Sequence, residues 1–135
     1  MTQNYQKSYK LLKHGKLLKV NAKVGAKNVE PVLVPLLVDT GSTYTILRIN
    51  VVKRLGCDIK NPLRREKIIT GKGALALQPV VNVPWFNCAG QVRKNFEVVA
   101  YNIPANLGVV GILGMDFLFQ AVISIKDAEI CFPIT

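Results

Sequence analysis

Residues 34–47 read VPLLVDTGSTYTIL, and this stretch limits what the chain can become more than any other. An apolar run ends at Val38 and delivers Asp39 into a Thr-Gly-Ser turn, after which a second apolar run begins. An ionised carboxylate between two buried strands is costly to desolvate unless hydrogen bonds or a nearby charge compensate. Gly41 lets the backbone turn tightly and present N–H groups to that carboxylate. Thr40 and Ser42 add hydroxyls that can donate to it or hold the loop. The pattern suits a carboxylate fixed at the base of a cleft.

A second element lies downstream, at residues 109–118, VVGILGMDFL. Together, Asp39-Thr40-Gly41-Ser42 after Leu36-Leu37-Val38 and this hydrophobic-hydrophobic-glycine segment resemble the paired signature of retropepsin-like aspartic proteases. The resemblance covers residues 16–130. It implies an all-β, barrel-like fold with one or two short helices and a flap hairpin. It also implies hydrolysis of peptide bonds without a cofactor, and a substrate cleft favouring hydrophobic residues around the cut bond.

The rest of the chain is consistent with many short strands. Strands are expected over 16–24 and 29–38, joined by a turn at 25–28. Pro31 and Pro35 point to a bulge or an edge placement before Leu36. A strand at 44–48 leads to a helix at 51–55, capped by Asn50 and ended by Gly56. Residues 64–83 read as a long hairpin whose tip is Gly71-Lys72-Gly73. Glycines alone mark only a turn; its place between the two signature elements is where the family carries its flap. Further strands are expected at 83–86, 90–101 and 123–133, with a turn at Gly90-Gln91. Trp85 and Phe86 read as core anchors. Residues 1–15, polar and basic, read as a flexible extension and a possible removable pro-segment. The domain proper would then be 16–135.

Bulk properties narrow the function. At 135 residues, half of them hydrophobic, the chain suits one domain with a real core. No apolar run approaches the ~20 residues needed to span a bilayer, and the start lacks a secretory apolar core, so a cytoplasmic location is expected. Cys57, Cys88 and Cys131 fit no zinc or redox spacing and read as reduced thiols. The single histidine, His14, sits in the basic start, so neither a cysteine nor a serine triad has its parts. The formal net charge of +10, from 18 basic and 8 acidic residues, invites a nucleic-acid reading. Its dispersal, without a recognition helix, zinc finger or RNA-binding aromatic motif, argues against one and favours acidic partners or substrates.

Metal-free peptide hydrolysis needs a base to activate water and an acid to protonate the product, and two close carboxylates sharing a proton do both. Asp58, Asp116 and Asp127 lack the Thr/Ser-Gly turn, and Asp116 reads as a helix-start charge. The second carboxylate is therefore expected from another copy, across a two-fold axis. The resemblance gives Asp39 the catalytic role and Thr40 a hydrogen bond across the axis. Gly41 would contact substrate through its main chain. Leu37 and Ile112 would line apolar subsites, while Leu113 and Gly114 support the loop. Thr43 and Met115 stand where viral members often carry an ion pair, so the form looks closer to free-standing cellular relatives. A Ser42 hydroxyl donating to Asp39 would shift the pH optimum towards acid. A catalytically weak protease-like dimer that binds peptides or proteins and hardly cleaves them is the alternative reading, ahead of a basic nucleic-acid-binding β-barrel.

Overall fold

Alternation of buried and exposed side chains, the period of a half-buried strand, runs through the computed structural model, which describes residues 7–69 and 73–134. Its described residues form β1 (Tyr9–Lys10), β2 (Leu12–His14), β3 (Leu17–Gly25), β4 (Val32–Val38), β5 (Ile46–Leu47), β6 (Arg64–Ile69), β7 (Leu75–Cys88), β8 (Gln91–Ala100), β9 (Gly111–Leu113), β10 (Val122–Ser124) and β11 (Glu129–Cys131). The helices are short: α1 (Ile49–Arg54) and α2 (Met115–Leu118). No helix among the described residues is long and apolar enough to cross a membrane.

The main sheet runs β2-β3-β4-β9-β5-β8-β7-β6. It closes on itself because β3 also pairs antiparallel with β7, with Ala22 opposite Cys88 and Gly25 opposite Trp85. Six strands thus form a barrel, β3-β4-β9-β5-β8-β7, with β2 and β6 appended. Closure requires a close approach: a side chain at Gly25 would place its Cβ 2.2 Å from the Trp85 ring. The parallel pairing of β4 with β9 and the antiparallel pairing of β5 with β9 bring the signature elements side by side, and β5 also pairs parallel with β8.

Two cores fill the structure. The larger gathers Leu36, Leu47, Val83, Phe86, Leu113 and Phe117. The Phe117 ring lies 5.3 Å from Phe86, 5.8 Å from Phe96 and 5.5 Å from Phe132, and the Arg93 guanidinium sits over it at 4.8 Å. Such contacts add to area burial because ring edges and cations meet the negative faces of other rings. The smaller core, which includes Ile46, Ile68, Val80 and Val99, lies beneath the β6–β7 hairpin.

Several local expectations change. Of the expected flexible extension, residues 1–6 lie outside the described residues, but Tyr9–Lys10 and Leu12–His14 are strands: β1 pairs with β11, β2 pairs with β3, and Leu11 between them is only 5% exposed, its N–H donating to the Ala128 carbonyl. Removing residues 1–15 would strip Leu11 from the core. The β3–β4 register runs unbroken through Pro35, which sits opposite Asn21, just before the β9 pairing begins at Leu36; no bulge is needed. Arg48, not Asn50, is the N-cap of α1, and the Ile49 N–H donates to the Asn102 side chain. The β7–β8 turn is Ala89-Gly90, both with positive φ, rather than Gly90-Gln91.

Candidate active site

Asp39 is placed by the end of β4. Its N–H donates to the Leu113 carbonyl at 3.0 Å, extending the parallel β4–β9 pairing by one bond into the turn. The Ser42 N–H returns to the Asp39 carbonyl at 3.2 Å and closes the turn. The Gly41 N–H donates to Asp39 Oδ1 at 2.9 Å, orienting the half-buried carboxylate. Glycine serves at 41 because a Cβ there would lie 3.2 Å from that same oxygen.

The Ser42 hydroxyl does not behave as expected. It donates to the Tyr44 carbonyl at 2.7 Å, bracing the backbone of the loop instead of the Asp39 carboxylate. The acid shift attributed to it loses its physical basis.

The chain from Leu113 to Asp116 laces against the Asp39 loop. Met115 N–H donates to the Ser42 carbonyl at 2.8 Å and Asp116 N–H to the Thr43 carbonyl at 3.2 Å. Gly114 N–H donates to Thr45 Oγ1 at 3.2 Å, and that hydroxyl donates onward to Asp116 Oδ1 at 2.7 Å. The Thr45 N–H donates to Asp116 Oδ2 at 2.9 Å. Gly114 is required here, since a Cβ would sit 2.5 Å from the Tyr44 carbonyl oxygen. Gly111 is required for the same reason, with a Cβ 2.2 Å from the Ile46 carbonyl oxygen. Burial pushes the Asp116 carboxyl above the ordinary carboxylate range, and the Thr45 donors oppose that shift. Asp116 does stand in the first turn of α2, but its carboxylate holds Thr45.

Two cavities meet at Asp39. One, of about 420 Å³, lies between the Asp39 loop and the β6–β7 hairpin and is lined by Ile46, Ile68, Ile69, Leu75 and Ile112 among others. The other, of about 510 Å³, is lined by Leu17, Leu37, Val38, Thr40, Ile123 and Ile125. Leu37 and Ile112 therefore open onto different cavities. Leu113 is fully buried behind the loop. Of the flap tip, Gly71 and Lys72 lie outside the described residues; Gly73 has a φ of +77°, which glycine adopts without strain. Thr45, Tyr44 and Lys67 belong to the neighbourhood of the site and were not singled out from sequence, while Asp116 was read only as a helix-start charge. Thr45 and Asp116 are 71 positions apart, and no local pattern links them. Among the described residues no group of three or more His, Cys, Asp or Glu is placed to hold a metal ion.

The chain matches the aspartyl protease family over residues 20–117. No curated protein sequence matches it. Among solved structures it is similar to a retropepsin-like aspartic protease from Rickettsia conorii, with 17% identity, a TM-score of 0.68, and coverage of 98% of this chain and 96% of that one. A closed barrel, an Asp-Thr-Gly loop at the end of one strand and a glycine-bounded strand packed behind it lead to one assignment: the chain belongs to the aspartyl protease family and has the retropepsin-like fold.

Proposed function

We propose that the protein is an aspartic endopeptidase whose active form is a homodimer. The observation that carries this reading is the Asp39 loop itself. Its carboxylate is oriented by the Gly41 N–H and set where two cavities meet, and its backbone is locked against residues 113–116. That is one half of a carboxylate pair. A two-fold axis beside the exposed Thr40 supplies the other half and brings the two Thr40 side chains together to brace the loops.

In the dimer, one Asp39 accepts a proton from the attacking water while the other, protonated, donates to the carbonyl oxygen of the scissile bond. The resulting tetrahedral diol collapses as a proton passes to the leaving amine, and the pair is restored. Gly41 offers main-chain contacts to an extended substrate. The β6–β7 hairpin serves as the flap over it, and the walls around Leu37 and Ile112 favour hydrophobic residues beside the cut bond.

A subunit-mixing experiment tests the reading. Wild-type protein should cut hydrophobic peptides, with inhibition by pepstatin, and Asp39→Ala should not. At equal total protein, a fully exchanged one-to-one mixture of wild type and Asp39→Ala should show about a quarter of the wild-type activity, because only dimers with two intact subunits work. Activity in the Asp39→Ala protein alone, or half the activity in the mixture, would overturn it.

A further inference from the structure

The cavity beneath the β6–β7 hairpin has walls that are apolar or neutral except at two positions, Asp39 and Lys67. Lys67 is exposed at its rim, on β6 opposite Leu77. Among the described residues, no ion pair involves it. Its neighbour on the same strand behaves differently: Arg64 pairs with Glu66 at 2.8 Å and with Glu97 at 2.5 Å. The carboxylates near β6 are thus engaged by Arg64, away from the Lys67 ammonium. Thr43, which also lines this cavity, is neutral and puts no competing carboxylate beside it.

An extended peptide crossing the Asp39 loop lays alternate side chains into this cavity, at about 3.3 Å per residue. The apolar wall takes the residues nearest the cut bond. A side chain that reaches the rim meets a lysine ammonium, a compact charge complementary to a carboxylate. The formal net charge of +10 adds a long-range attraction for the same substrates.

We propose that Lys67 is a specificity-determining residue that selects peptides carrying an acidic side chain a few positions from a hydrophobic cleavage pair. The inference rests on the peptidase reading above. In the two-fold dimer each subunit presents one Lys67, so the preference falls at symmetric positions on both sides of the cut.

The test is a peptide set built on one central hydrophobic pair, with each outer position occupied in turn by Glu or Gln. For wild type at pH 6 and low salt, kcat/KM should favour Glu over Gln about two- to fivefold at one position on each side, chiefly through KM, the range for a solvent-exposed ion pair. Lys67→Gln should bring that ratio to about one, and Lys67→Glu should invert it. Lys94→Gln lowers the net charge equally but lies outside the cavity, and should keep the wild-type ratio. The preference should also fade in high salt and below about pH 4, where the substrate carboxyl is protonated. Equal rates for Glu and Gln in wild type, or a ratio that survives in Lys67→Gln, would overturn the proposal and leave the peptidase reading standing. Failure to cut any peptide of the set would overturn both.

Discussion

Replacing Thr45 by valine keeps the shape of a fully buried side chain and deletes one hydroxyl, so it isolates the link between Asp116 and the Asp39 loop. Two bonds disappear: the 2.7 Å bond to Asp116 Oδ1 and the 3.2 Å bond from Gly114 N–H. A hydrogen bond to a charged group contributes about 1.5–3 kcal/mol, and an orphaned buried N–H costs about 1–3 kcal/mol. The added methyl returns about 0.8 kcal/mol of apolar burial. The expected net loss is about 2–5 kcal/mol, a drop of roughly 10–15 °C in Tm for a domain of this size. Asp39 should also lose its fixed position, because Gly114 follows Leu113, whose carbonyl receives the Asp39 N–H. Small misplacements of this kind are costly in rate, so kcat should fall about tenfold or more. Urea unfolding with matched m-values, alongside kinetics, reads both effects. Thr45→Ser, which keeps the hydroxyl, should recover most of each. A Thr45→Val protein within about 0.5 kcal/mol of wild type, with unchanged kcat, would refute the idea that this network holds the loop.

Three further outcomes follow from the same structure. Because Asp116 has a raised pKa in the folded state, its contribution to stability is fully present below the unfolded value of about 3.8 and is lost as pH rises through the folded value. Wild type should therefore gain stability relative to Asp116→Asn as pH falls from 7 to 4, and paired melts showing a flat or opposite difference would contradict the assignment. Gly114→Ala would drive a Cβ against the Tyr44 carbonyl oxygen, so folded but inactive protein, or a stability loss of about 1–3 kcal/mol or more, is expected by calorimetry and peptide assay. The Cys88 thiol is buried and pushed up to about 12, so thiol reagents at pH 7–8 should leave it unmodified until the protein is denatured, as mass spectrometry of labelled peptides would record.

What could be read from sequence was local. Asp39-Thr40-Gly41 and the glycines at 111 and 114 carry their meaning in a few adjacent residues, because turn geometry and close backbone approach admit little else. The β6–β7 hairpin was legible for the same reason. Long-range partners were not. Leu11 is one apolar residue in a basic stretch, and only the β11 pairing and the Ala128 carbonyl show that it belongs to the core. Ser42 could have donated to Asp39 or to the backbone; the path of the loop, fixed from the far side by residues 113–116, decided for Tyr44. Asn102 takes the first helical N–H of α1 from a loop 53 residues away, so the nearby Asn50 was a reasonable cap that the fold does not use. Asp116 was recognised as sitting at a helix start, yet its bond to Thr45 exists only once the barrel has closed.

The parallel pairing of Leu36 with Gly111 and Val38 with Leu113 has a consequence for biosynthesis. A ribosome emits Asp39 well before it emits the strand that seats it. At about 5–20 residues per second the interval is on the order of several seconds. During it the nascent polypeptide carries the acid group but not the scaffold that aims it. On the reading proposed above, hydrolytic competence is deferred until residues 111–113 have been made, which shields a half-made domain from premature cutting.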